Sequence, residues 1–351
     1  VMYVGYVVII PHYNDSARLG RCLDALRAQD RAGVDVVVVD NGSTEPLDQA
    51  KAANPDVRFV TEPGKGAARA RNRGVAESRA AAIIFLDADC VPQPDWLAAA
   101  RRAAGSADIV GGAIDVFDET PPPRSGAEAF ETVFAFNYKD YIERKGFSVT
   151  ANLVTTRTVF EAVGPFTNGL SEDAEWCFRA RAMGYRLALD EGMRVAHPTR
   201  SNWPALVRKW RRIVREMYAL HRQAHPGPTG RLLWFARALA MAASWLPHLP
   251  KILFSPRLNG AGERLRGAAT LIRLRLLRSW WMRHGITMST RSTGSGRSGA
   301  CSRATSRCRS GSAATRWSGT RSSGWPREPR PTRNARCSPA RPHAPTGWHR
   351  H

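Results

Sequence analysis

"AAIIFLDADC", residues 81–90, runs from small and β-branched apolar residues straight into two carboxylates, Asp87 and Asp89, separated by one alanine. A short apolar run of this kind reads as a buried strand, and like charges at its end have two readings. Asp begins turns readily. Two carboxylates beyond a strand end also form a hard-cation site for Mg²⁺ or Mn²⁺, with coordination positions left for phosphate oxygens. The decision rests on what the rest of the chain supplies at its strand ends.

Similar runs lie on either side. "YVGYVVII", "VDVVVVD" and "VRFV" precede it and "ADIVGGAIDVF" follows. The helical stretches "SARLGRCLDALRAQ", "EPLDQAKAA", "GAARARNRGVAESR" and "PDWLAAARRAAG" fall between or after them. Continuous apolar strands with helical crossovers predict an α/β fold, its mainly parallel central sheet flanked by helices. Ligands of such sheets sit beyond the C-terminal strand ends, so Pro11 to Asn14, Asp40 to Thr44 and Asp87 to Asp89 share one rim. "FSVTANLVTTRTVFEAVGPF" and "SEDAEWCFRARAMGYRLALD" read as further strands and helices of the same domain.

Taken together and in order, "VVIIPHYNDSARLGRCLDAL", "VVVVDNGST", "GKGAARARNRG", "FLDADC" and "SEDAEWCFRARAMGY" resemble the family 2 glycosyltransferases, which have the GT-A fold. The resemblance implies an inverting, metal-dependent transfer of a sugar from a nucleotide-diphosphate donor to an acceptor hydroxyl. It implies that Asp40 contacts the nucleotide base, with Pro11 and Tyr13 lining the same pocket. Asp87 and Asp89 match the D-x-D that holds Mg²⁺ or Mn²⁺, Asp89 being the more direct ligand, and His197 in "RVAHP" stands where some members add a metal ligand. Glu172 and Asp173 match the acidic pair whose second member is the catalytic base. Asn152 and Arg157 match the acceptor-side segment, as acceptor or diphosphate contacts or as loop-stabilising residues.

Residue chemistry supports part of this independently. Lys65, Arg69 and Arg71 at the start of a helix suit diphosphate oxygens, or form a solvated basic face. Gly64, Gly66 and Gly74 do not fit the G-x-G-x-x-G of a dinucleotide loop. Processive relatives carry Q-x-x-R-W, whereas this chain has "LVRKW", ending in Trp210, without the Gln; single-sugar transfer is expected. A nucleotidyltransferase on a related scaffold is the alternative enzyme, but it calls for a Gly-rich loop where "PHYND" stands. A non-catalytic basic membrane- or nucleic-acid-binding module is the alternative without chemistry; the retained acids argue against it, and no nucleic-acid partner is expected.

The chain has 351 residues and a net charge of +22. Residues 286–351 hold thirteen Arg and one acid, Glu328. That stretch lacks Leu, Val, Phe, Tyr and Lys and has Ile only at its first position, so no core is expected from it. Its composition fits either a basic tail or out-of-frame translation. Cysteines without metal-type spacing imply a reducing compartment and no structural zinc. The N-terminal stretch reads as a first strand rather than a signal peptide, and no segment is long and apolar enough to span a membrane.

Residues 203–222 and 264–283 combine Trp/Leu/Ile/Val stripes with dense Arg, the pattern of helices lying in an anionic membrane surface. The expected organisation is a catalytic domain over 1–202, basic amphipathic helices over 203–285 and a disordered tail over 286–351. The expected location is cytoplasmic, on the inner face of the membrane, with a saccharide or lipid-linked acceptor.

Overall fold

The computed structural model describes residues 5–289; the Arg-rich stretch from 290 onward, and with it the expected disorder of the tail, lies outside the described residues. In chain order the first half comprises β1 (Tyr6–His12), α1 (Ser16–Arg27), β2 (Val34–Asp40), α2 (Asp48–Ala53), β3 (Arg58–Thr61), α3 (Ala67–Ala76), β4 (Ala82–Leu86), β5 (Val91–Pro92), α4 (Trp96–Ala103) and β6 (Ile109–Phe117). There follow α5 (Gly126–Phe134), a π-helical turn (Asp140–Lys145), β7 (Asn152–Thr156), α6 (Arg157–Val163), α7 (Glu172–Ala182) and β8 (Leu187–Pro198). Four helices end the described chain: α8 (Trp203–Ala224), α9 (Pro228–Ala243), α10 (Trp245–Leu253) and α11 (Gly260–Ser289).

The strands form one sheet in the order β3-β2-β1-β4-β7-β6-β8-β5. The pairings among β3, β2, β1 and β4 are parallel, as the apolar runs predict. Beyond β4 the sheet is mixed. β7 is antiparallel to both β4 and β6, β8 is parallel to β6, and β5 is antiparallel to β8.

Continuous apolar strands follow from burial on both faces. Along β1, Val8 and Ile10 pack with Leu19, Cys22 and Leu23 of α1 on one side. Val7 and Ile9 pack with Ala68, Ala70 and Val75 of α3 on the other. Gly74 allows the second contact, because a Cβ there would meet Ile9 Cγ2 at 2.4 Å.

The mixed half is held by a buried staple. The register of β6 on β8 slips between Gly112 and Ala113, and the carbonyls freed by that bulge need donors. The Asn152 amide donates to Ala113 O at 2.9 Å and Met193 O at 2.8 Å, and its oxygen accepts from Trp96 Nε1 at 2.9 Å. Gly112 leaves room for it, since a Cβ would lie 2.2 Å from the amide nitrogen. All of this amide's contacts are internal, which corrects the acceptor-side or diphosphate expectation for Asn152.

The C-terminal helices pack on α5. Leu206 of α8, Ile252 of α10 and Leu271 and Leu274 of α11 bury against Ala129 and Phe130, with Trp203 and Trp210 alongside. Farther along, Val214 and Met217 meet Trp234, Ala238 and Met282. The apolar stripe of α8 is therefore an internal seam, a correction to its expected membrane-surface role. Apolar side chains exposed in this region are instead Leu232, Leu233, Phe235 and Leu239 on α9, Leu246 on α10 and Phe254 after it, and Leu265, Leu276 and Trp280 on α11. Among the described residues no helix is long and apolar enough to cross a membrane.

Truncating Asn152 to Ala strands the Trp96 N–H and two carbonyls in the core. With each buried unpaired group worth about 1–3 kcal/mol, N152A is expected to lose roughly 3 kcal/mol. Urea unfolding checks this as a lowered midpoint with an unchanged slope.

Candidate active site

The rim is built from loops at the C-terminal strand ends. Asn14, held at a positive φ of 46°, turns its side-chain oxygen onto Thr44 N at 2.7 Å and Glu45 N at 3.3 Å. Its own N–H donates to Ser43 Oγ at 2.9 Å. The loops after β1 and β2 are thus stitched together around Asp40, whose carboxylate accepts from Ser43 N at 3.2 Å.

His12, 2 % exposed, lies behind Asp40. Its Nε2 accepts from Asp15 N at 3.2 Å, so a neutral ring carries its proton on Nδ1. That nitrogen faces Ser43 Oγ at 3.3 Å and Asp40 Oδ1 at 3.5 Å, fixing the carboxylate. Pro11 pairs with Val39 inside the sheet, while Tyr13 is exposed at the rim.

Asn41 continues the loop work. Its amide donates to Glu62 O and Gly64 O, and its oxygen accepts from Gly66 N at 2.7 Å. These bonds hold the "GKG" turn that leads into α3, with Gly66 at φ 129°, a conformation L side chains rarely adopt. Lys65 and Arg69 are exposed there.

Arg71, one turn into α3, points the other way. It is buried, donating to Asp87 Oδ1 at 2.6 Å and Glu172 Oε1 at 3.0 Å. This corrects its expected role as a diphosphate contact: both ends of the guanidinium are already occupied by carboxylates. Burial opposes its charge, but Asp87 and Glu172 outweigh burial and hold its pKa above the ordinary value.

Asp173 follows Glu172 in the first turn of α7. Its Oδ1 accepts from Ala174 N at 2.9 Å and from Ser171 Oγ at 3.4 Å. Burial, and after it the neighbouring Glu172, push its pKa up to about 6, with Arg71 pulling the other way. A carboxyl so placed is a stronger base than an ordinary Asp and is largely ionised at pH 7.

On the other side of the D-x-D, Asp89 Oδ2 lies 3.2 Å from His197 Nε2 and 3.9 Å from Arg200. Burial acts to raise the Asp89 pKa, yet a protonated His197 ring, followed by Arg200 and Arg18, holds it well below the carboxylate range. His197 Nδ1 sits 2.8 Å from the Pro198 carbonyl, which only accepts, so that nitrogen bears a proton. In neutral His197 the Nε2 lone pair then faces a carboxylate oxygen. Two acceptors aimed at one another suit a shared cation, and the donor set fits Mg²⁺ or Mn²⁺. Among the described residues no three His, Cys, Asp or Glu side chains gather into a complete metal cage. Such a site matches an ion that takes its remaining ligands from phosphate and water.

Several supporting residues escaped the sequence reading. Glu131 of α5 accepts from Arg200 N at 2.7 Å and from Lys209 of α8, tying the last helices to the His197 strand. Phe136 lies 4.6 Å from the His197 ring. His12 stood in the quoted "PHYND" and was recoverable there; Glu131, Arg200 and Lys209 carry no motif.

Arg157 is corrected. It donates to Ala80 O at 2.8 Å and Val75 O at 3.3 Å, beside the start of β4 and at the opposite end of that strand from Asp87. Trp210 lies between α5 and α11, edge-on to Phe130 at 6.4 Å and 3.9 Å from the Arg278 guanidinium.

A parallel half-sheet with a stitched first rim, a D-x-D beyond β4 and an acidic pair opening α7 defines the GT-A class of glycosyltransferases. The family described as "Glycosyl transferase family 2" matches residues 7–166. Glycosyltransferase AglE of Haloferax volcanii is 32% identical over 215 residues, 58% of this chain and 70% of AglE. The pre-mycofactocin glycosyltransferase of Mycobacterium tuberculosis is 28% identical over 205 residues, and the match spans only 43% of its length. The solved mannosyltransferase PcManGT from Pyrobaculum calidifontis, in complex with GDP-Man and Mn²⁺, shares the fold at a TM-score of 0.51 and 19% identity, covering 85% of this chain and 89% of that one. The chain belongs to glycosyl transferase family 2 and is a glycosyltransferase.

The raised pKa of Asp173 has a consequence for stability. At pH 4 and below the group is mostly protonated in the folded state; as pH rises toward 6 and beyond, folding must hold an ionised carboxylate where the neutral form is preferred. Asp173→Asn, which keeps the Ala174 N–H bond, is expected to raise Tm at pH 8 and to leave it nearly unchanged at pH 3.5. Thermal unfolding at the two pH values measures the difference.

Proposed function

We propose that this glycosyltransferase moves a single sugar from a nucleotide-diphosphate donor to an acceptor hydroxyl with inversion, Asp173 acting as base. The observation that carries the proposal is the Arg71 bridge, which brings the acidic pair to the D-x-D through one guanidinium. Asp173 accepts the acceptor's hydroxyl proton, and the oxygen attacks the anomeric carbon as the bond to the diphosphate breaks. Asp40, steadied by His12 and Ser43, offers an acceptor oxygen to a base N–H. Lys65 and Arg200 meet phosphate oxygens from two sides.

Asp89 and His197 would hold Mg²⁺ or Mn²⁺, which when bound supplies charge neutralisation for the leaving diphosphate. The Mn²⁺ in PcManGT supports that choice of cation. The acceptor is a lipid-linked saccharide or glycolipid met at the inner face of the membrane. Support comes from the apolar side chains exposed on α9 and α11, set among arginines, a combination that inserts into and adheres to anionic lipid.

Thermal shift with UDP-, GDP-, dTDP- and CDP-sugars, each with and without Mn²⁺, is expected to single out one nucleotide with a Mn²⁺-dependent shift. With that donor, kcat/KM should rise with pH through an apparent pKa near 6 and then level. Asp173→Asn should retain the donor-induced shift and lose turnover. Near-normal turnover in that variant sinks the base assignment.

Membrane binding has its own measurement. Full-length protein should co-sediment with anionic liposomes and remain partly bound at 1 M salt through its apolar contacts. The triple variant Leu232→Glu, Phe235→Glu, Leu239→Glu should be released there. Equal retention of the variant removes α9 from the interface.

A further inference from the structure

A second concentration of charge lies away from the nucleotide rim, inside the C-terminal helices. Leu271, Leu274, Arg275, Arg278 and Met282 recur on one face of α11, and the leucines and Met282 are core residues there. Two arginines therefore point where the helix packs. Arg278 stacks on Trp210 of α8, its guanidinium carbon 3.9 Å from the ring centroid, and Arg275 reaches the Met241 sulfur of α9 at 3.4 Å.

Neither arginine has a carboxylate partner among the described residues. The Nε atoms of both are buried without a hydrogen bond, as are the neighbouring Ser279 hydroxyl and the Trp210 indole N–H. Four unmatched polar groups, all donors or able to donate, line one interhelical seam. Buried donors ordinarily find acceptors, and one cation–π contact returns less than a half-buried guanidinium loses in hydration. Burial, then the proximity of Arg275 and Arg237, pushes Arg278 well below the usual guanidinium range. The missing component is an anion with several acceptor oxygens.

Its position relative to the chemistry is set by Tyr141 in the π-helical turn, which lies within electrostatic reach of both Asp173 and Arg278. Glu216, on the same helix as Trp210, is likewise within reach of Glu172 and Asp173. The seam therefore lies within electrostatic reach of the candidate base.

We propose that Arg275 and Arg278, with Trp210 and Ser279, form a phosphate-binding subsite that holds a phosphate or diphosphate carried by the acceptor. This deepens the glycosyltransferase reading above and rests on Asp173 marking the acceptor side. Arginine forks match phosphate oxygens in pairs, and the indole N–H and Ser279 hydroxyl complete a donor set that a neutral glycan would leave unused. The phosphate belongs either to a lipid headgroup or to a soluble glycosyl phosphate.

The test uses the full-length protein and three probes: farnesyl phosphate, glucose 1-phosphate and phosphate-free farnesol. Farnesyl phosphate should bind wild type and weaken roughly tenfold or more in Arg278→Met and Arg275→Met, as expected for the loss of a charge-assisted pair. Glucose 1-phosphate following the same pattern assigns the subsite to a soluble phosphate; binding by farnesyl phosphate alone assigns it to a lipid headgroup. Asp173→Asn should bind the probes as wild type does, so failure of the base assignment leaves this result standing.

A readout without ligand separates binding from support. Arg278→Met removes a half-buried charge without a carboxylate partner among the described residues, so its ligand-free Tm should rise. A lowered Tm makes Arg278 a structural strut and overturns the proposal. Unchanged probe affinity in both variants, or farnesol binding as tightly as farnesyl phosphate, overturns it as well.

Discussion

Arg71 is the residue on which the site's assembly depends. Asp87 ends one strand and Glu172 opens a helix far along the chain, and each would repel the other if no cation stood between them. A single buried guanidinium bonds to both. Breaking a buried ion pair of this kind costs roughly 3–5 kcal/mol, because the remaining charges stay desolvated. The same bond fixes the direction of α7 and so the position of Asp173, which makes no contact with Arg71's nitrogens yet sits beside Glu172.

The bridge also divides the acids into chemical types. Asp87 is neutralised by Arg71, whereas Asp89 faces His197 and Arg200 and stays ionised over the working range. Asp173 is desolvated by burial, has a carboxylate for a neighbour and has no cation bonded to it, so its proton affinity rises. Three aspartates within one site are thereby driven toward three conditions: paired, ionised and basic. Environments that push titratable groups apart in this manner separate acid–base work from electrostatic work.

Much of this was legible in the sequence where a local rule applied. The four parallel strands follow from uninterrupted β-branched runs, and the D-x-D and the acidic pair are contiguous in sequence. What escaped depends on contacts between distant segments. Nothing near Arg71 says that it turns inward to two carboxylates rather than outward to a ligand, since the helix is basic on several sides. Asn152 and Arg157 fit an acceptor motif, yet a β-bulge captures the first and the start of β4 the second. The apolar stripe of α8 has the right period for either a membrane or a core, and periodicity does not distinguish them. Only the presence of α5, α9 and α11 against it decides.

The C-terminal helices then have two surfaces of opposite use. Their inner seam covers α5 and, through Glu131 holding Lys209 and the Arg200 backbone, braces the strand end that carries His197. Their outer side leaves leucines and aromatics in solvent. A helix that only braced the His197 strand would need neither those residues nor arginines turned into its packed face.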